Sequence, residues 1–179
     1  MRTNTTRGSV GVAALVLIVF IACTTSPAAP AHVQTSPKAT VHTLAGGCAG
    51  TTLTDAEPPV WAQSGWSVPK GAPWPVPWAS GTNGDAVAYV FATQLVAGSS
   101  PRVDGSSNKV LWLAKDSSSA ANVSGHPLGK SQPMLTIAGG PSITDVPTAG
   151  CWTFRLTWGS SGQHSSTINL EVLPAGTLP

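Results

Sequence analysis

Side chains capable of acid–base chemistry are few in this sequence. Such catalysis needs two carboxylates, or a carboxylate and a histidine, that converge on a cleft. Asp55 and Glu57 are two residues apart, but nothing argues that they share a cleft, so we interpret them as solvated loop charges. We therefore predict no catalytic residue and no enzyme. The seven carboxylates lie mostly in turn-like sequence: Asp55, Glu57, Asp85, Asp104, Asp116, Asp145 and Glu171.

Nucleophile motifs are incomplete. Ser67 to Lys70 and Ser106 to Lys109 match Ser-x-x-Lys. The Ser-Asp-Asn and Lys-Thr-Gly motifs that accompany it in penicillin-interacting enzymes are missing. The sequence also has no Gly-x-Ser-x-Gly, phosphate-binding loop or His-Glu-x-x-His motif. In a serine-rich chain, isolated matches of this kind arise by chance.

Metal ligands are equally scarce. His126 and His164 are the histidines after residue 47, both in predicted loops, and Met134 is the methionine there. Copper sites need several His or Met ligands. We predict no metal site and no cofactor.

Tryptophan and proline dominate residues 55–80, DAEPPVWAQSGWSVPKGAPWPVPWAS, which we call the Trp/Pro segment. Proline excludes a regular helix or a central strand, so this segment is predicted to be an extended loop or edge. Its indoles could cover one face of a sheet. Alternatively, some stay exposed as a platform for sugar rings or for the apolar groups of a partner. The candidate binding surface consists of Trp61, Trp66, Trp74 and Trp78.

Residues 1–22 have the features of an export signal. Arg2 and Arg7 precede an apolar run, VGVAALVLIVFIA, at residues 10–22. Its length suits the apolar region of a secretory signal peptide and is too short for a membrane-spanning helix. The end of this run together with the next residue, Phe20-Ile21-Ala22-Cys23, resembles the lipobox of bacterial lipoproteins. This resemblance implies cleavage before Cys23, lipidation of its sulfur with further acylation such as palmitate, and anchoring to the outer face of the cell membrane. The alternative is an ordinary secretory leader, or an uncleaved anchor, with an incidental Cys23.

A Pro/Ala/Thr-rich tether is predicted to follow. We divide the chain into a signal peptide (1–22), the lipidated cysteine and tether (23–47), a β-sandwich (48–174) and a tail (175–179). Beyond the signal peptide, seven Lys/Arg residues balance seven Asp/Glu residues. A net charge near zero gives no electrostatic footprint for nucleic acid.

With Cys23 assigned to lipid, Cys48 and Cys151 remain in a chain that would meet an oxidising compartment. A disulfide between them would close a loop of about 100 residues, which the chain-entropy model values at ~4–5 kcal/mol. Two free thiols are the alternative.

The C-terminal part predicts a β-hairpin. Two runs of apolar residues alternate with polar ones, and a Gly-rich polar link at residues 159–165 separates them. The inward-facing residues are Trp152, Phe154, Leu156 and Trp158 in the first strand and Ile168, Leu170 and Val172 in the second.

Other strands are predicted upstream. Residues 87–95 and 108–114 are apolar on both faces, which is typical of central strands. A long loop is expected at 115–132, followed by a short strand at 134–138 and an extended piece at 141–146. These patterns predict an all-β fold.

Two further resemblances support that fold. The run Val146-Pro147-Thr148-Ala149-Gly150-Cys151-Trp152-Thr153-Phe154 is similar to the E–F corner of immunoglobulin-like sandwiches in bacterial envelope proteins. Trp152 stands where such corners usually have Tyr, so the usual hydroxyl hydrogen bond is not expected. The segments NKVLW, PSITDVP and GCWTF resemble a group of uncharacterised exported bacterial lipoproteins, over residues 48–174. The resemblance implies an immunoglobulin-like antiparallel β-sandwich, disulfide-bonded, in the bacterial envelope, and brings no activity.

From location and surface chemistry we predict a membrane-anchored, extracytoplasmic binding or envelope-support module. Its expected partners are the membrane and either a cell-wall glycan or an envelope protein. A small cell-wall-acting enzyme of unfamiliar pattern and a purely structural envelope protein are the alternatives.

Overall fold

The structure, a computed structural model, describes residues 42–117 and 121–178. In these ranges the chain forms eleven strands and one turn of 3-10 helix at Val60–Ala62, without any α-helix. The strands are β1 (Thr43–Leu44), β2 (Leu53–Thr54), β3 (Trp78–Ser80), β4 (Ala86–Val90), β5 (Leu95–Val96), β6 (Lys109–Ala114), β7 (Asn122–Pro127), β8 (Leu135–Ala138), β9 (Gly140–Ile143), β10 (Gly150–Trp158) and β11 (His164–Leu173).

These strands form two sheets. The first has the order β1-β2-β3-β4-β6-β9 and the second has the order β5-β11-β10-β7-β8. Neighbours are antiparallel except for β5 and β11, which run parallel. A core of apolar residues from both sheets, which we call the inner core, lies between them. The predicted all-β sandwich is confirmed.

The hairpin of β10 and β11 supplies much of the inner core, as predicted. Trp152 pairs with Leu170 and Phe154 with Ile168, and each of these side chains is buried. Their alternation with polar residues puts the large groups on one face, since successive side chains of a strand point to opposite sides.

Both faces of β4 are buried, as predicted, but the strand is shorter than expected. The predicted strand at 87–95 ends at Val90, and the chain turns before Leu95–Val96 joins the other sheet. Thr93 has φ 62° in this turn, a left-handed conformation that breaks an extended strand. The prediction of one continuous strand is therefore wrong.

The predicted loop at 115–132 contains a strand, β7. Its polar sequence, NVSGHP, has no clear apolar period, so nothing local predicts a strand. Its place between β10 and β8 provides the backbone partners. A Cβ at Gly125 would lie 3.0 Å from Leu135 and 3.2 Å from Phe154, so any larger residue there would force these side chains to shift.

The predicted disulfide is present between Cys48 and Cys151, whose Cα atoms are 5.9 Å apart. It fastens the start of the sandwich to β10. The backbone N–H of Cys48 donates to the Asn169 carbonyl at 3.3 Å, and the N–H of Glu171 donates to the Gly46 carbonyl at 2.8 Å. Residues 46–48 therefore form hydrogen bonds with backbone groups along the edge of β11.

The corner before β10 is held by an indole. The Trp152 Nε1–H donates to the carbonyl of Thr148, four residues upstream, at 2.9 Å. Trp152 thus provides the side-chain-to-backbone bond that a tyrosine hydroxyl would provide at such a corner.

The predicted signal peptide at 1–22, the lipidation site Cys23 and the tether up to residue 41 lie outside the described residues. The last residues of the predicted tether include β1, which pairs with β2.

Candidate functional site

The Trp/Pro segment lies against the outer face of the first sheet, opposite the inner core. β4 and β6 contribute Val87, Tyr89, Leu111 and Leu113 to this face, and the segment covers them. We call this second apolar group the outer cluster. Because strands alternate their side chains, β4 and β6 serve both clusters at once.

The structure places the four predicted tryptophans in two groups. Trp74 and Trp78 are buried, at 6% and 8% exposure, whereas Trp61 and Trp66 are half-buried. Trp74 and Trp78 are therefore not among the indoles that stay exposed. The interpretation that the indoles cover a sheet describes these two, and the accessible part of the candidate surface narrows to Trp61 and Trp66.

Hydrogen bonds from buried side chains hold the segment in place. The Trp78 Nε1–H donates to the Ala56 carbonyl at 2.7 Å, and the Tyr89 hydroxyl donates to the Ala62 carbonyl at 2.9 Å. Burial raises the pKa of Tyr89 to about 12. These bonds replace the regular backbone pairing that the prolines prevent.

Trp66 stands at the centre of a row of rings. Its ring centroid lies 5.5 Å from Trp74, 5.2 Å from Tyr89 and 6.2 Å from Phe91. These separations are those of favourable aromatic pairs. Phe91 ends the row with 41% of its surface exposed.

A cavity of about 710 Å³ opens beside this row, which we call the first cavity. Trp66 and Trp74 form part of its apolar wall. Its polar wall combines both signs of charge with an amide: His42, Asp55, Glu57, Gln63 and Lys70. Few polar groups among apolar and aromatic walls are typical of small-molecule sites.

Asp55 and His42 form a pair at this cavity. The backbone N–H of His42 donates to Asp55 Oδ1 at 3.1 Å, and its ring Nδ1 lies 3.0 Å from Oδ2. Since an ionised carboxylate only accepts, Nδ1 carries the hydrogen. The hydrogen bond from the His42 ring is the main cause that holds the pKa of Asp55 below its ordinary value. Both carboxylate oxygens are therefore engaged.

Gln63 and Glu57 form a second polar group. The Gln63 Nε2 donates to Glu57 Oε1 at 3.2 Å and to the Pro58 carbonyl at 2.7 Å. These two hydrogen bonds use both amide hydrogens of Gln63. Its side-chain carbonyl oxygen is an acceptor. Glu57 is exposed and keeps acceptor capacity as well.

One donor in the cavity wall is unsatisfied. The indole Nε1 of Trp74 is buried and has no hydrogen-bond partner within the described part of the chain. A buried donor without an acceptor costs about 1–3 kcal/mol. Buried donors normally have a partner in the protein or in ordered water, so Trp74 carries an uncompensated polar group in the outer cluster.

Sequence reasoning missed most of this site. It treated Asp55 and Glu57 as solvated loop charges that share no cleft, and the structure brings both to one cavity. His42 is 13 residues from Asp55, and Phe91 lies on another strand, so no local pattern joins them. The clustering of tryptophan in residues 55–80 was the available signal.

The other residues considered in the sequence are dispersed. The ring Nδ1 of His126 bonds the Pro127 carbonyl, His164 stacks on Trp158, and Met134 is exposed. Within residues 42–117 and 121–178, no group of three His, Cys, Asp or Glu side chains could hold a metal ion.

The comparisons identify no relative. No protein-family model matches this chain, and no curated protein or solved structure matches it significantly. Among the residues that the structure describes, no helix has the length and apolar character needed to cross a membrane.

Proposed function

We propose that this protein is a lipid-anchored binding protein of the bacterial envelope and that a glycan is bound at the first cavity. The cavity itself is the observation that carries the proposal. It is lined by the half-buried ring of Trp66 and by side chains that donate and accept hydrogen bonds. A sugar ring has an apolar face of C–H groups and a rim of hydroxyls, so it can use both kinds of lining residue.

The charges of the first cavity favour a neutral polyhydroxy ligand. Asp55 already accepts two hydrogen bonds from His42, so fewer of its acceptor sites remain for a ligand. Glu57 and Lys70, which also line the first cavity, carry charges of opposite sign. An isolated anion or cation gains little from such a mixed wall, whereas hydroxyl groups can donate to one residue and accept from another.

The anchor at Cys23 rests on the lipobox-like Phe20-Ile21-Ala22-Cys23 and on the apolar run before it. The Cys48–Cys151 disulfide supports export, since disulfides persist in oxidising compartments. Cell fractionation with detergent phase partition tests the anchor. Wild-type protein should enter the detergent phase and Cys23→Ser should not.

Calorimetric titration with soluble fragments of bacterial wall polysaccharide tests ligand binding. Wild type should bind, and Trp66→Ala should lose at least about tenfold in affinity. Trp61→Ala is the matched control, because Trp61 is also half-buried but does not line the first cavity. Absence of binding by wild type, or equal loss in both variants, would contradict the proposal. Binding of an envelope protein instead would identify a protein-binding module.

A second candidate is a small wall-acting enzyme, favoured by the His42–Asp55 pair and Glu57 at one cavity. A histidine oriented by a carboxylate can act as a general base. Release of new reducing ends from purified cell wall, abolished in Asp55→Asn, would establish it. If neither binding nor turnover is found, a purely structural envelope role remains.

A further inference from the structure

We propose that the glycan site continues beyond the first cavity, across Trp66 and Phe91, into a second cavity. Its ligand is then an oligosaccharide chain rather than a single sugar. This inference rests on the proposed function, because it specifies the ligand of the same site.

The ring contact between Trp66 and Phe91 provides the continuity. Their centroids are 6.2 Å apart and their planes differ by only 21°. Trp66 lines the first cavity and Phe91 lines a second one of about 420 Å³. Two nearly parallel rings in contact therefore connect the linings of the two cavities.

Phe91 is unusual for a residue in this position. It follows β4 directly, in a turn otherwise made of small and polar residues, and remains 41% exposed. A single exposed apolar residue needs no explanation. Here the exposed ring extends an aromatic row that begins in a cavity, and contiguous exposed aromatic surface is typical of binding sites.

The backbone makes this platform rigid. The Phe91 N–H donates to the Lys109 carbonyl at 3.1 Å, which keeps Phe91 beside the start of β6. The Lys109 Nζ lies 5.1 Å from the Phe91 ring centroid, within the range of a cation–π contact.

The second cavity has a polar character different from that of the first. Arg102 is held by its Nε–H to Ser106 Oγ at 2.9 Å and by Nη1 to the Gln94 carbonyl at 2.8 Å. Its side chain is only 6% exposed, and Nη2 lies 3.6 Å from Asp104. Lys109 is exposed and carries the accessible positive charge. This cavity therefore favours ligand groups that offer acceptor oxygens, such as hydroxyl, acetyl or carboxylate groups.

The two cavities together predict a dependence on chain length. A monosaccharide occupies only the first cavity, whereas a longer oligosaccharide also contacts Phe91 and Lys109. Affinity should therefore rise with chain length by about tenfold or more, as expected for an added set of stacking and polar contacts. Removing the Phe91 side chain should abolish this increase in affinity without weakening the binding of the monosaccharide.

The test uses the mono- to hexasaccharide fractions of a partial acid hydrolysate of bacterial wall polysaccharide. Each fraction is titrated calorimetrically into wild type, Phe91→Ala, Trp66→Ala and Val103→Ala. Val103 is the matched control, since it is 73% exposed and lines neither cavity. We expect Phe91→Ala to bind every fraction with the monosaccharide affinity of wild type, Trp66→Ala to bind none tightly, and Val103→Ala to match wild type.

The possible outcomes distinguish failure of the extended site from failure of the proposed glycan-binding function. Equal affinity for all lengths in wild type, or equal loss for all lengths in Phe91→Ala, overturns the extended site and leaves the binding function standing. Failure of wild type to bind any fraction overturns both. If Phe91→Ala does not fold, Lys109→Gln replaces it. That variant should weaken only the longer fractions, and no change in it overturns the extended site.

Discussion

The inner core and the outer cluster share strands β4 and β6 but differ in how they are closed. The inner core lies between two hydrogen-bonded sheets, and its buried indoles Trp112 and Trp152 have acceptors at 3.2 and 2.9 Å. The outer cluster is closed by an irregular segment and borders a cavity. Each region keeps one buried polar atom without a partner among the described residues, Ser166 Oγ beside the inner core and Trp74 Nε1 in the outer cluster. One face of the sheet thus stabilises the fold, and the other face has the features of a binding site.

The difference between the two regions has a physical cause. Regular sheets satisfy their own backbone groups, so a surface between them can be packed without gaps. A proline-rich cover has no ladder to satisfy, and here it leaves a cavity. The following predictions test whether the two regions are energetically distinct.

Loss of the disulfide should have the largest effect. Replacing Cys48 and Cys151 with Ala frees a loop with a sequence separation of 103 residues. The free energy of unfolding should then fall by about 4–5 kcal/mol, because the unfolded chain gains entropy. Denaturant unfolding measures this change. A loss below about 1 kcal/mol would mean that the disulfide contributes little to closing the inner core.

A large-to-small change should distinguish the two clusters directly. Phe154→Ala, in the inner core, should lower the free energy of unfolding by about 3–5 kcal/mol through lost burial and a cavity. Trp66→Ala, in the outer cluster, should cost only roughly 1–2 kcal/mol because that side chain is half-buried. Equilibrium unfolding of both variants gives the comparison. Equal costs would show that the outer cluster is as tightly packed as the inner core.

Tyr89 reports on the cover of the outer cluster. It is the single tyrosine of the chain, and its pKa of about 12 lies above the ordinary value near 10. Because burial raises the pKa in the folded state, this contribution to stability is complete below pH ~10 and is lost as the pH rises toward 12. Tyrosinate absorbance should titrate near pH 12, and Tyr89→Phe should remove the signal.

The same Tyr89→Phe variant should lower the free energy of unfolding by about 1–3 kcal/mol at neutral pH, since the Ala62 carbonyl loses its donor. A tyrosinate pKa near 10 in the folded protein would mean that the Trp/Pro segment does not cover the sheet.

The smallest effect is expected at Asp55. Asp55→Asn weakens its pair with the exposed His42, so stability should change by less than about 1 kcal/mol. The carboxyl pKa is lowered in the folded state, so its contribution is present at neutral pH and lost as the pH falls through that pKa. NMR titration of the Asp55 carboxyl group in the wild-type protein checks the pair. A carboxyl pKa at or above its ordinary value would show that the two side chains do not interact in solution.

Local sequence patterns were sufficient for most of the sandwich. The alternation at residues 152–158 and 168–172 predicts the hairpin because a strand has a period of two. The two cysteines predict the disulfide because few other partners exist for them. Residues 108–114 similarly predict a strand with two apolar faces, which the structure places between β4 and β9.

Tertiary contacts decided what these patterns left open. β7 is a strand because β10 and β8 flank it, not because of its own polar sequence. The first cavity is lined by residues drawn from positions 42–74, and the aromatic row extends to Phe91. These segments share no periodic pattern of apolar residues that would predict their contact. The amino-acid composition of the Trp/Pro segment predicts that indoles cover a sheet. Because an irregular proline-rich segment has no repeating geometry, its sequence does not predict which indoles are buried. Only packing against Val87 and Tyr89 determines which indoles are buried and where a cavity remains.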